Sequence, residues 1–192
     1  MNCPQSLKLR KLLGLISFFL IHGKVLMQGI WASGTGWDEP VNENFVRQWR
    51  QWVDCFDQLS TLRIPRCYFS TSFFSRESRL ETHVFVDASE TAYCCVVYFR
   101  LLDARGIQVA LVGSKSKVAP LKTLSIPRLE LKAAVLGVQY LQSILSNHAL
   151  PVAQKYLWTD STTVLAWILS DHRRFQKFVA VRVGEILSLE LR

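Results

Sequence analysis

Between Leu80 and Asp160 the chain alternates strand-like and helix-like grammar in an order that few folds accommodate. Thr82 to Val86 reads as a strand, and Thr91 to Leu101, rich in Tyr, Val and Phe, as a second. The short Asp103-Ala104-Arg105-Gly106 connection predicts a hairpin into a third strand over Ile107 to Ser114. Lys115 to Ser125 reads as a basic loop. A long helix follows from about Pro127 to Ser146, with proline in its first turn, where a missing amide costs nothing. Tyr156 to Thr159 is then a fourth strand, Ser161 to Leu169 a short helix, and Arg173 to Leu191 a final one with Phe175, Val179, Val183 and Ile186 on one side. The order β-β-β-α-β-α-α predicts an α/β fold: a mixed sheet with flanking helices.

The first 79 residues follow different rules and predict a helical segment preceding that domain, which spans 80–192. Residues 1–30 read as helix, with Leu12, Leu15, Ile16, Phe19, Leu20 and Leu26 on its apolar side. Lys8 to Lys11 followed by Leu12 to Ile21 also has the look of a secretory signal. The apolar run is too short to span a bilayer, however, and no good cleavage site follows. Ser33 to Gly36 breaks the pattern, and Asp38 to Pro40 turns into a second helix from about Asn42 to Leu62. Phe45, Trp49, Trp52, Val53, Phe56 and Leu59 share one side of it, as a core or interface stripe would. Ile64 to Phe69 is extended, and Ser70 to Arg79 a polar connector.

Composition enters where partners are concerned. The 192 residues carry a net charge of +8, spread along the chain with no basic tail, which favours a polyanion such as nucleic acid. Five cysteines without CxxC spacing indicate neither a zinc site nor a disulfide framework and fit a reducing intracellular compartment, cytoplasm or nucleus. The four histidines have no ligand-like spacing.

Three acids stand at the ends of core elements: Asp87 after Val84-Phe85-Val86, Glu130 in the first turn of the long helix, and Asp160 after Tyr156-Leu157-Trp158-Thr159. If strands one and four are neighbours, both aspartates lie at one sheet edge with Glu130 above them. Carboxylates so close repel and raise one another's pKa unless cations intervene. Oxygen-only ligands suit Mg²⁺ or Mn²⁺, and a pair of such ions can activate water and stabilise the leaving oxygen of a phosphodiester. The other reading is solvated element ends, with Glu130 favouring the helix dipole.

The strings Val84-Phe85-Val86-Asp87-Ala88-Ser89, Ile126-Pro127-Arg128-Leu129-Glu130-Leu131-Lys132-Ala133-Ala134 and Trp158-Thr159-Asp160-Ser161-Thr162-Thr163-Val164 resemble the ribonuclease H domain of BEL/Pao-type retrotransposon polyproteins. Upstream, Gly36-Trp37-Asp38-Glu39-Pro40 and Leu13-Gly14-Leu15-Ile16-Ser17 resemble the segment joining reverse transcriptase to ribonuclease H there. The resemblance implies a ribonuclease H-like fold and metal-dependent cleavage of the RNA strand of RNA–DNA hybrids, with Asp87, Glu130 and Asp160 as catalytic metal ligands of a two-ion Mg²⁺ or Mn²⁺ site. It also implies a reverse transcriptase domain of the same polyprotein as partner. Lys115, Lys117, Lys122 and Arg128 are the candidate phosphate contacts. A fourth acid, which the family carries in a segment like Asn-Pro-Ala-Asp, has no match before Arg192, so the domain is expected to be C-terminally incomplete. Asp171, Glu185 and Glu190 lie in the right region but not in a matching string. Two alternatives therefore stand beside the enzyme: a catalytically inactive nucleic-acid-binding relic, and a polymerase-interaction fragment docking through Trp49 and Trp52.

Overall fold

The computed structural model describes residues 14–59, 61–63, 65, 67–69, 78–148, 150–170 and 175–189. The elements that position the site are β1 (Arg79–Ala88), β2 (Ala92–Asp103), β3 (Gly106–Val118), α4 (Ile126–Asn147), β4 (Val152–Trp158), α5 (Thr162–Leu169) and α6 (Lys177–Leu187). Ahead of them come α1 (Ser17–Ala32), α2 (Glu43–Asp54) and the single turn α3 (Phe56–Leu59). The fold is the expected mixed α/β one. The four strands lie in the order β3-β2-β1-β4, with β1–β2 and β2–β3 antiparallel and β1–β4 parallel. The parallel pair needs a crossover, and α4 supplies it.

Alternation along β2 shows why the sheet has two different faces. Tyr93, Cys95, Val97, Phe99 and Leu101 are buried, while the residues between them are only partly so. The buried set packs with Leu80, Val84 and Val86 of β1 against Leu129, Ala133, Leu136 and Leu141 of α4. Val179, Val183 and Ile186 of α6 close the core from outside, as the periodicity predicted.

The opposite face divides. Helix α1 covers its β3 side through polar contacts: the Ser116 hydroxyl donates to the Ser17 carbonyl at 3.1 Å, and Gln28 Nε2 donates to the Ala119 carbonyl at 2.7 Å. Helix α2 braces α1, with Trp52 stacked on Phe19 (centroids 5.3 Å apart) and its indole N–H bonded to the Phe19 carbonyl at 3.0 Å. The β1–β4 side carries Phe85 and Trp158, stacked nearly parallel at 6.0 Å, and His83 and Tyr156, stacked at 4.8 Å. These cross-strand ring pairs line the side of the sheet that α1 leaves open, with Phe85 and Trp158 about half exposed.

Several boundaries differ from expectation. Lys115 to Val118 belong to β3, not to a loop. Ser114 and Ser116 take the inward positions there and bond to α1, so hydroxyls stand where an apolar alternation would have signalled a strand. Strand β4 starts at Val152, four residues early. The second predicted helix is shorter and breaks at Cys55, where a 3.3 Å bond to the Trp52 carbonyl tightens the chain and Trp52 and Phe56 both reach Phe19. Residues 1–13, with the start of the signal-like run, lie outside the described residues, as do 70–77 and 171–174. Among the described residues no helix is long and apolar enough to cross a membrane.

Candidate metal centre

Each of the three acids is delivered by a different constraint. Asp87 is the last residue but one of β1 and pairs with Cys94 across the ladder; its carboxylate accepts the Ala88 amide at 2.7 Å. Asp160 lies two residues beyond β4, just before Ser161, whose hydroxyl caps α5 by accepting the Val164 amide at 3.4 Å. Because β1 and β4 are parallel neighbours, with Phe85 opposite Trp158, both chains leave the sheet at one edge.

Glu130 reaches that edge from above. Residues 130, 134, 137 and 141 form the side of α4 that faces the sheet. At Gly137 the helix comes so close that an added Cβ would stand 2.8 Å from a Val86 methyl and 2.9 Å from a Val84 methyl. A missing side chain thus sets the height of α4, and with it the height of Glu130 above the strand ends. Nothing in the acid spacing signals this glycine.

One carboxylate oxygen from each of Asp87, Glu130 and Asp160 lies within 4.8 Å of the others. Asp87 and Asp160 are exposed, whereas Glu130 is only 7% exposed. Its Oε2 is buried without a hydrogen-bond partner. Burial pushes the Glu130 carboxyl above the usual carboxylate range, and the charges of Asp87 and Asp160 push it further, against a hydrogen bond with the Ala88 backbone. Buried oxygens are normally satisfied, because an orphan costs about 1–3 kcal/mol. A divalent cation between the three carboxylates would supply the absent partner and neutralise the repulsion, so the donor set fits a hard metal ion.

The surroundings are asymmetric. Cys94 lies beside Asp87, its thiol pushed up by burial and then by the Asp87 charge. An apolar cavity of about 410 Å³ opens between Phe18 and Ile21 of α1 and Val96 and Tyr98 of β2, with Asp87 on its rim. The candidate phosphate contacts are dispersed. Lys115 lies over the Tyr140 ring at 5.6 Å and Lys117 is exposed two residues further along β3. Lys122 is exposed in the turn before α4, and Arg128 is held by the Gln176 side chain at 3.2 Å and the Phe178 ring at 5.3 Å. Of the acids considered for a fourth ligand, Asp171 and Glu190 lie outside the described residues. Glu185 accepts from Gln139 at 2.6 Å, nine residues beyond Glu130 on α4, or about 13 Å along the helix axis. It does not belong to the acidic cluster.

No curated protein matches the chain significantly. Among solved structures it is similar to ribonuclease H1 of the halophilic archaeon Halobacterium salinarum NRC-1, at 11% identity over 58% of this chain and 76% of that one, with a TM-score of 0.36. It is also similar to the foamy viral protease-reverse transcriptase in complex with dsDNA, at 15% identity over 85% of this chain and 30% of that one, TM-score 0.43. A second foamy viral protease-reverse transcriptase complex with dsDNA matches at 14% identity over 98% and 31%, TM-score 0.43. The chain therefore spans under a third of either viral protein, and at these scores the likeness carries no weight of its own. The model of the Pao retrotransposon-like RNaseH-like domain matches residues 12–161, a stretch that takes in α1, the whole sheet and all three clustered acids, and the chain belongs to that family.

Proposed function

We propose that the chain is a retroelement ribonuclease H-like module whose reaction is hydrolysis of the RNA strand of an RNA–DNA hybrid, supported by two Mg²⁺ or Mn²⁺ ions. The observation that carries this reading is the meeting of three carboxylates around a buried, unpartnered Glu130 oxygen. Asp87, Glu130 and Asp160 would hold the ions. Bound there, divalent cations lower the pKa of a water and stabilise the leaving oxygen of an in-line displacement.

The protein's own part is placement. The β1 and β4 ends fix the two aspartates, and Gly137 holds Glu130 at coordinating height. The exposed side of the cluster leaves room for a backbone phosphate. Recognition would rest on duplex shape, phosphates and the 2′-hydroxyl, with little base readout. On this reading residues 1–79 are the helical connection that follows a reverse transcriptase domain, residues 80–192 are the ribonuclease H-like unit, and the setting is intracellular.

The test is cleavage of a labelled RNA–DNA hybrid with Mg²⁺ or Mn²⁺, beside Asp87→Asn. Cleavage by the natural chain that is lost in the variant supports the hydrolase. A folded natural chain that binds hybrid but leaves it intact would sink the hydrolase and leave a binding relic.

A further inference from the structure

We propose that Lys117, Lys132 and Arg182 form an anion site that takes a phosphodiester group of the nucleic-acid backbone, beside the carboxylate cluster. This rests on the nucleic-acid reading above and adds to it two cations, Lys132 and Arg182, that were not among the candidate phosphate contacts.

Tyr93 is the centre of the site. Its ring is buried at 6% exposure, and ladder pairing sets Lys117 directly beside it on β3. The Lys132 ammonium stands over the same ring, 5.1 Å from its centroid. From α6, Arg182 lies flat on Phe178 at 3.6 Å and donates to the Phe178 carbonyl at 2.8 Å. Arg128 reaches the same phenyl ring from α4 at 5.3 Å, which ties the two helices together here. The charges of Arg182 and Lys117 both act on Lys132, and that of Arg182 also acts on Tyr93.

What sets these cations apart is that they gather around one buried ring. Among the described residues the ion pairs engage Glu81, with Arg79, Arg100 and His83, and Asp103, with Arg105. The cations on β1 and β2 are thus already neutralised, while the group at Tyr93 gathers positive charge with no acid among the described ion pairs. Such a cluster repels itself, and an anion relieves the repulsion. A stacked guanidinium with two ammonium groups matches the tetrahedral oxygens of a phosphate, and the aromatic contacts hold the donors in place before it arrives.

Position beside the acids makes the anion a backbone phosphate. Tyr93 pairs with Ala88, the residue after Asp87, so the cations around its ring gather at the end of β1 that carries the acid. The cation site and the carboxylates are therefore neighbours at one end of the sheet, with Lys132 following Glu130 by two residues on α4. A duplex crossing the start of α4 would offer one phosphate to the acids and another to the cations.

Two measurements test this, both with chelator present so that the carboxylates bind no metal. Inorganic phosphate, followed by amide NMR, should produce saturable shifts at Lys117, Tyr93, Lys132 and Arg182. The Lys117→Gln/Lys132→Gln double variant, its folding verified by thermal melting, should need at least about tenfold more phosphate, as expected for loss of charge-assisted bonds. In hybrid binding, Lys132→Gln should lower affinity alike for all base sequences and reduce the slope of log K against log salt by about 0.9. Absence of saturable shifts overturns the site, and an unchanged slope and affinity overturn the assignment to the nucleic-acid backbone. A natural chain that binds phosphate but no hybrid also overturns that assignment. One that binds hybrid with the expected slope yet does not cleave it removes only the hydrolase reading.

Discussion

Replacing Glu130 with glutamine should stabilise the metal-free protein while destroying its response to metal. The Glu130, Asp87 and Asp160 oxygens lie within 4.8 Å of one another, and unit charges at that distance repel by about 1 kcal/mol under aqueous screening. Both aspartates are exposed, so the aqueous value is the suitable one. Two pairs removed give about 2 kcal/mol, or a Tm rise of roughly 4–8 °C for a protein of this size. The pH dependence has a definite sign. The folded-state pKa of Glu130 is raised, so ionising it costs folding energy. That cost is absent in acid, where the group is protonated in both states, and grows as pH rises from the ordinary glutamate range through the folded value. The advantage of Glu130→Gln should therefore be full at high pH and vanish in acid. Added Mg²⁺ should reverse the ranking, because a ligand at a hundred times its Kd stabilises the natural chain by about 2.7 kcal/mol. Thermal melting in chelator and in Mg²⁺, across pH, reads all of this. A variant that melts no higher than the natural chain at neutral pH in chelator, or a gap independent of pH, would refute the account of Glu130 as an electrostatically strained ligand.

Two further outcomes follow from the packing. Gly137→Ala, a change that usually favours a helix, should instead destabilise by about 1–3 kcal/mol, because the new methyl meets Val84 and Val86 at under 3 Å; metal affinity should fall with it as α4 lifts, readable by melting with and without Mg²⁺. Alkylation at mildly alkaline pH, followed by mass spectrometry, should label exposed Cys55 readily and spare Cys95, which is fully buried with its thiol pushed up to about 12; early modification of Cys95 would mean that the sheet–α4 core opens.

The acids were legible because their signal is local. A carboxylate closing an apolar run stands at an element's end, and the run itself reports a buried element. The same locality made β1, β2, α4 and the buried side of α6 readable. Lys115 to Val118 were misread because the inward-facing groups of β3 are serines, satisfied by a helix about a hundred residues away in sequence. A hydroxyl with a distant partner looks the same in sequence as one in water. Lys132 and Arg182 were missed for a related reason: a gathering of charges around one ring is a property of neighbours in space, which residue spacing does not carry.

Sequence by itself thus determined the order of strands and helices and the apolar centres of most of them, and that three acids stand at their ends, because hydrophobic period and chain punctuation act over a few residues. The tertiary structure alone decided that the acids converge, that Glu130 holds a buried orphan oxygen, that Gly137 sets its height, and that Glu185 is held away beside Gln139. Those facts depend on the parallel pairing of β1 with β4 and on the close approach of α4, and both arise from packing between segments far apart in the chain.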